Sequence, residues 1–550
     1  MSIHRETQQI GGHKWGKNTT YGHFGSSSQP QVHILSTYGW IDGLNPAISV
    51  FFVDLWLVCL IVLGKTSWGS PMIFGRKKEQ ETLNKLLASK NAEFLAVYGR
   101  RRIGKTYLIH EFFQDQGLFL EVTGSNEAPK REQIYNFHLK LKAFSSDVVD
   151  NVPKTWSEAF HEVVKLVQNL DPQKKFIFFI DELPWFASPR SGFLSALDYF
   201  WNAYLSRFRN ALLIICGSSA HWMIEKVIND RGGLHGRLSA QLRMEPFSLG
   251  ETEQFLQDQG VQLQRKQLIE LYMALGGVAK YLTAVSSGKS AVQIINELCF
   301  SPSGMLLGEF TKLYKSLFDS AEHHMAIVRT LAKKRRGLSQ SELLQMAKIP
   351  YGGTATTVLQ ELEESGFIMS IQAFGKRQRE KHFRLIDEYS LFYLTWIEEV
   401  SNQVLRKVDQ DYWTRMSETA AWKTWAGYAF ENVCLKHSWK IKIALGFAGV
   451  LTSESHWQHR GENGEEGAEI DLVIDRADDC INLCEIKFCA EEFEMTEAYA
   501  EELERKIRVF RKVTGTRKTI FMTMITPFGV KKNMYYLGVV HHQLTMDALF

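Results

Sequence analysis

Phe94-Leu95-Ala96-Val97-Tyr98-Gly99-Arg100-Arg101-Arg102-Ile103-Gly104-Lys105-Thr106 is the stretch whose reading decides the fold. Its last eight residues fit G-x-x-x-x-G-K-[ST], a loop that cradles phosphate groups. Mostly apolar residues precede the loop as a buried strand, and Tyr107 to Phe113 continue it as a helix. Glycines at Gly99 and Gly104 let backbone N–H groups turn inward around phosphate oxygens, and the helix presents its positive N-terminal end to the anion. In this pattern Lys105 reaches the β- and γ-phosphates and the Thr106 hydroxyl holds Mg²⁺. Arg100, Arg101 and Arg102, with Ile103, lie inside the loop, where the arginines either steer nucleotide or face solvent.

Working outward, 550 residues predict three or four domains. The chain is 45% hydrophobic and 23% charged, ordinary for a globular protein. A formal net charge of +3 excludes a strong global attraction to nucleic acid, so any such contact must be local. Seven cysteines without a secretory signal read as reduced thiols in a cytoplasm. Residues 1–71 differ from the rest, with scattered Gly, Ser, Asn, His and Trp and then an apolar run from Ala47 to Leu63 that has Asp54 near its centre. The favoured reading is a leader or over-extended start, with the functional chain beginning at Met72. A membrane anchor at 47–63 is the alternative.

Beyond the loop, Leu118 to Gly124 reads as a strand. Phe176 to Ile180 is apolar without alternation, as a parallel strand buried on both faces requires. It ends in Asp181, placed for the Mg²⁺ shell, and Glu182, placed to polarise an attacking water. Leu212 to Cys216 is a further strand, and Ser218 or Ser219 at its end would sit beside the γ-phosphate as a sensor. Arg237 could reach a phosphate in cis or across a subunit boundary of a homo-oligomer. Ser248-Leu249-Gly250-Glu251 is a capping box that opens a helical lid, interrupted at Gly276-Gly277-Val278.

These phrases, with Phe74-Gly75-Arg76, Asp181-Glu182-Leu183-Pro184-Trp185 and Cys216-Gly217-Ser218-Ser219, resemble the archaeal-type AAA+ ATPases, which are similar to origin-recognition and STAND-type ATPases. The resemblance implies a P-loop core, a helical lid and a winged helix, with ATP as ligand. Gly99, Gly104, Lys105, Thr106, Asp181 and Glu182 match position by position. Ala279 stands where a proline is usual.

Helical spacing through Met325, Val328 and Leu331 is followed by a basic cluster, a capped helix from Ser339, and a second helix with an Ala355, Val358, Leu359 and Leu362 stripe. Phe367 to Met369 and Phe383 to Ile386 would be wing strands, with Lys376, Arg377 and Arg379 at the tip. The pattern suggests DNA, but Glu361, Glu363 and Glu364 on the reading helix would repel phosphate. Packing on the lid or on a partner is the competing use of this element.

Near the carboxyl end, Trp425 to Cys434 reads as a helix carrying Glu431. Gly467 to Asp475 reads as a strand with Ile470, Leu472 and Ile474 on one face and Asp471 on the other. Its hairpin partner carries Glu485 and Lys487 on one face. Such carboxylates could hold Mg²⁺ through Asp471 and Glu485, and the lysine could support developing charge on a phosphodiester. The order E…D…E-x-K resembles the PD-(D/E)XK nuclease superfamily. The resemblance implies a catalytic set of Glu431, Asp471, Glu485 and Lys487.

The expected fold class is α/β: a P-loop NTPase parallel sheet with a helical lid, then a winged helix and an α/β restriction-endonuclease-like domain. The boundaries are 1–71 extension, 72–235 core, 236–308 lid, 309–400 winged helix, 401–412 linker and 413–550 nuclease-like domain. The expected function is Mg²⁺-dependent ATP hydrolysis coupled to binding or processing of DNA or RNA. A nucleotide-switched regulator with an inactive nuclease-like domain is the alternative, and a membrane-tethered signalling ATPase stands behind it.

Overall fold

Strands β1 (Glu93–Tyr98), β2 (Leu118–Thr123), β3 (Phe176–Asp181), β4 (Ala211–Gly217) and β5 (Ala240–Arg243) form one sheet in the order β2-β3-β4-β1-β5. Every pairing is parallel. Side chains alternate between two apolar cores: Phe94, Ala96, Phe178 and Ile180 pack on one face, and Leu95, Val97, Ile177 and Phe179 on the other. This double burial is why the strands read as unbroken apolar runs. The computed structural model describes residues 73–550 except 147, 149, 230–233, 235, 335, 373, 376–380, 404–410 and 462–464. The extension 1–71 with its 47–63 segment, and the wing tip at Lys376, Arg377 and Arg379, therefore lie outside the described residues. No helix among those described is long and apolar enough to cross a membrane.

The expected boundary between core and lid at 235/236 falls too early. β5 pairs with β1 through Leu95–Ala240 to Tyr98–Arg243, so the sheet runs on to Arg243. Helices Leu249–Asp258, Arg265–Leu275, Ala279–Leu282 and Ala291–Phe300 follow. Ser248 caps the first, accepting from the Glu251 N–H, with Glu251 bonding back to the Ser248 N–H. Helices Ala321–Lys333, Gln340–Ala347 and Gly353–Glu364 then pack with a small antiparallel sheet of β6 (Leu338–Ser339), β7 (Ile368–Gln372) and β8 (Lys381–Leu385), ordered β6-β8-β7.

The last sheet, β9 (Thr452–His459), β10 (Ala468–Arg476), β11 (Cys480–Ile486), β12 (Thr519–Ile525) and β13 (His542–Leu544), is ordered β13-β12-β11-β10-β9. Its first three strands are antiparallel, and β12 and β13 continue in parallel after the helix Glu497–Thr514. The strict two-residue parity expected for β10 fails. The β9–β10 register shifts between Ile470 and Val473, the signature of a bulge. Ile470 and Val473 consequently pack in the core that holds Leu503 and Phe510, whereas Leu472 and Ile474 turn to the opposite core. Asp471 sits at the bulge.

That opposite core is shared. It runs from Leu249 in the helices after β5 through Phe367 and Trp396 to Trp425, Phe430 and Cys484, so the regions before and after the expected linker share one interior. Trp396, Trp413, Trp422 and Trp425 pack together there, with neighbouring centroids 5.0–6.3 Å apart.

Candidate functional site

The first site lies at the carboxyl ends of β1 and β3, with β4 between them, where open parallel sheets form a ligand crevice. Gly99 takes φ 144°, and a Cβ there would stand 2.2 Å from the Met244 carbonyl oxygen, so only glycine fits so close to the next segment. Arg102 and Gly104 also hold positive φ, coiling the loop before the helix Lys105–Phe113. Lys105 is buried and its Nζ donates to the carbonyls of Gly99 and Arg100, both at 2.9 Å. Thr106 Oγ1 donates to Asp181 Oδ2 at 2.9 Å. Ser218 holds Glu182 from two atoms, its N–H at 3.2 Å and its hydroxyl at 2.8 Å from Oε2. Glu182 adopts left-handed backbone (φ 48°), which turns it away from the line of β3.

Loop, acidic pair and Ser218 thus converge. Their geometry fits a divalent cation, because Asp181 Oδ1 is buried with no hydrogen-bond partner among the described residues, beside the oxygen that Thr106 engages.

The loop arginines do something not anticipated. The Arg100 side chain turns from the phosphate side into an ion pair with Asp387, with both groups buried, and its guanidinium lies 4.7 Å from the Phe367 ring centre. Burial works against charge on both groups. Their mutual attraction outweighs it, raising the guanidinium's value and holding the carboxyl below the usual range. Arg102 pairs with Glu309, which also accepts from the Tyr281 hydroxyl at 3.1 Å. Arg101 lies over Trp185 at 5.5 Å. Arg100 is thus withdrawn from solvent, whereas Arg102 stays partly exposed beside Glu309. Arg237 is exposed, with no ion pair or hydrogen bond from its guanidinium among the described residues.

Arg76 was not singled out as a site residue. Its side chain is buried, donates to the Ile103 carbonyl at 3.1 Å and stacks on Phe247 at 4.4 Å, bracing the loop from behind.

The second site gathers all four expected residues around a cavity of about 450 Å³ lined by Glu431, Asp471, Glu485 and Lys487. Asp471 Oδ2 accepts from the Ile486 N–H at 2.8 Å. Burial, then the nearby Glu485 and Glu431 carboxylates, push the Asp471 carboxyl well above its ordinary range. Lys487 Nζ lies 2.8 Å from Glu485 Oε1. Glu431 is held by Arg384 at 2.6 Å.

Sequence reasoning missed Lys506. From the helix Glu497–Thr514 it places Nζ 2.9 and 2.8 Å from the two Glu485 oxygens, and the Tyr499 hydroxyl adds a contact at 3.3 Å. A lysine buried in an otherwise amphipathic helix is the signal that could have found it. This arrangement does not fit the expected cation at Asp471 and Glu485, since lysines already neutralise Glu485. No three His, Cys, Asp or Glu side chains among the described residues are grouped to hold a metal. Cys484 is buried, whereas Cys480 and Cys489 are partly exposed.

Residues 73–285 match the family described as an ATPase domain predominantly from Archaea. An uncharacterized protein of Methanocaldococcus jannaschii, MJECL04, is 24% identical over 421 residues, spanning 73% of this chain and 84% of that protein. The uncharacterized ATP-binding protein MJ0423 of the same organism is 39% identical over 49 residues, 9% of this chain and 83% of that protein. Among solved structures, the Walker-type ATPase PABY2304 of Pyrococcus abyssi aligns with a TM-score of 0.43 at 18% identity, covering 59% of this chain and 96% of that one. The Aeropyrum pernix ORC2 protein aligns at 0.39 and 16%, covering 64% and 98%.

Proposed function

We infer that this chain, whose residues 73–285 form a P-loop ATPase domain of the predominantly archaeal family, hydrolyses ATP and uses nucleotide state to control a nucleic-acid-binding carboxyl-terminal domain. The observation that carries the first half is the Thr106–Asp181–Lys105 cluster with its unpartnered Asp181 oxygen. Backbone N–H groups of residues 99–106 and the Lys105 ammonium hold the β- and γ-phosphates. Thr106 and Asp181 would hold Mg²⁺, which when bound neutralises charge on the phosphate oxygens. Glu182 accepts a hydrogen bond from water once it leaves Ser218. The water's oxygen then bonds to the γ-phosphorus, passing a proton to the Glu182 carboxylate, as the bond to the β–γ bridging oxygen breaks and its electron pair leaves on ADP. Phosphate release by the full chain tests this, and Lys105→Ala removes the cation that grips the phosphates. Unchanged turnover in that variant refutes the assignment.

The second half treats residues 309–400 as a winged helix and 413–550 as a PD-(D/E)XK-like domain. Support comes from the strand order, with an antiparallel trio, a helix and a parallel strand arranged around Asp471, Glu485 and Lys487. The Lys506–Glu485 pair favours a domain that binds nucleic acid without cutting it, the regulator reading. Following phosphate release and strand scission together, with ATP, Mg²⁺ and labelled DNA or RNA, separates the two. Turnover without scission is expected; Mg²⁺-dependent scission lost in Asp471→Ala favours the processing enzyme.

A further inference from the structure

The helix expected to read DNA has its carboxyl half committed to other contacts. Glu364 bonds His221 at 2.7 Å, Arg243 donates to the Glu364 carbonyl, and Glu361 bonds His324. A different surface carries the positive charge. Between the small β6-β8-β7 sheet and β9 lies a cleft of about 1440 Å³. Lys333, Lys334, Lys348 and Arg460 line it, all exposed, and none forms an ion pair among the described residues. Arg384 lies buried in its wall. One nitrogen is spent on Glu431, and Nε and Nη2 have no hydrogen-bond partner among the described residues. Among the described residues, Glu342 is the one carboxylate on the lining, and it is occupied in capping the helix Gln340–Ala347.

The cleft is not isolated. Arg336, Tyr428, Gln458 and His459 line both it and the smaller cavity that contains Asp471 and Glu485. A cation-lined channel with aromatic side chains in its wall, opening onto the pocket that holds Asp471, Glu485, Lys487 and Lys506, has the chemistry of a phosphodiester track.

We propose that this cleft, rather than the Gly353–Glu364 helix, is the nucleic-acid-binding surface: phosphates lie along Lys333, Lys334, Lys348 and Arg460, and the strand leads to the Asp471–Glu485 cavity. The proposal rests on the nucleic-acid-binding reading of the carboxyl-terminal domain, but not on ATP turnover or scission.

The test is fluorescence anisotropy on the full chain, in EDTA and without nucleotide, using labelled single-stranded DNA, duplex DNA and single-stranded RNA at about 50 to 200 mM salt. The variant combines Lys333→Gln, Lys334→Gln, Lys348→Gln and Arg460→Gln. Losing four phosphate contacts at about 0.7–0.9 each makes the log–log salt slope shallower by about 3 to 4 and weakens binding by at least tenfold at low salt. A matched variant, Lys165→Gln with Lys289→Gln, keeps the wild-type affinity. Unaltered ATP turnover and melting show that the quadruple variant is folded. Which probe binds best identifies single strand or duplex. Equal affinity and slope in wild type and quadruple variant overturn the cleft, as does failure of all three probes to bind.

Discussion

Arg100, inside the phosphate loop, forms a buried ion pair with Asp387, 287 residues further along the chain. Asp387 is not an isolated acceptor. Its other oxygen caps the helix Glu388–Phe392 by accepting from the Ser390 N–H at 2.9 Å. The adjacent Glu388 binds Lys436 at 2.7 and 2.9 Å, at the end of the helix that also carries Glu431. Two consecutive acids thus join the nucleotide loop to the helix bordering the second site. Such a contiguous network is the physical precondition for nucleotide occupancy to bias the second site. Removing one partner of a buried pair strands the other charge and costs about 3–5 kcal/mol. Asp387→Ala should therefore lower the unfolding free energy by about that amount in urea titration and also weaken nucleotide binding. A loss below about 1 kcal/mol, with unchanged nucleotide affinity, would mean that the pair tolerates water and transmits nothing.

Glu182 and Lys105 should separate in their kinetics. Glu182 is held by Ser218 rather than by Lys105 or Thr106, so Glu182→Gln should leave ATP affinity within a few fold and lower turnover by about 10²–10⁴. Lys105→Ala should instead abolish binding. Equal losses of affinity in both variants, measured by calorimetry, contradict the division of labour.

At the second site the raised Asp471 value has a sign that can be followed. Its folded-state value lies above the ordinary one, so the fold favours the protonated carboxyl. The stability it contributes is present below about pH 4 and lost as pH rises through the folded value. Asp471→Asn mimics the protonated form and should raise the melting temperature at neutral pH by a few degrees, with the gain vanishing near pH 3. A gain that does not depend on pH assigns the effect to packing instead. Lys506→Gln removes the ammonium between the Glu485 oxygens. Divalent-cation affinity in calorimetry should therefore rise at least tenfold over wild type. No rise would exclude Lys506 as the group that keeps cations out.

Much of this was legible before any coordinates. Phe176 to Ile180 reads as a doubly buried strand because both its faces are apolar, and Gly99 to Thr106 because phosphate binding fixes glycine, lysine and hydroxyl spacing. What stayed hidden is long-range. Nothing local in Arg100 distinguishes a nucleotide contact from a staple to Asp387, and nothing in Lys506 names Glu485. β5 is four residues long, too short for a period to show, so the core–lid boundary slipped. The β10 bulge defeated parity because an extra residue leaves no compositional mark.

His437 gives the interface between lid and carboxyl-terminal helices a pH dependence. It is buried. Its Nδ1 donates to the Val433 carbonyl at 2.8 Å, and its Nε2 accepts from the Leu249 N–H at 3.1 Å. Protonating Nε2 would set two N–H groups against each other. Burial, with the Lys436 and Lys440 charges adding to it, pushes the imidazole down to about 4. A lowered histidine value means that the unfolded chain takes up the proton first. The stabilising contribution is therefore complete above about pH 6.5 and is lost as pH falls toward 4, amounting to about 3 kcal/mol over that window. Acidification acts on many groups, so the informative quantity is the difference between wild type and His437→Gln. In urea titrations at about pH 7.5, 5.5 and 4.5, the variant should be the less stable protein at the highest pH and should close most of that gap at the lowest. Parallel curves for the two proteins would mean that His437 takes up its proton to the same extent in the folded and unfolded chains, and its contact with Leu249 would then give stability no pH dependence.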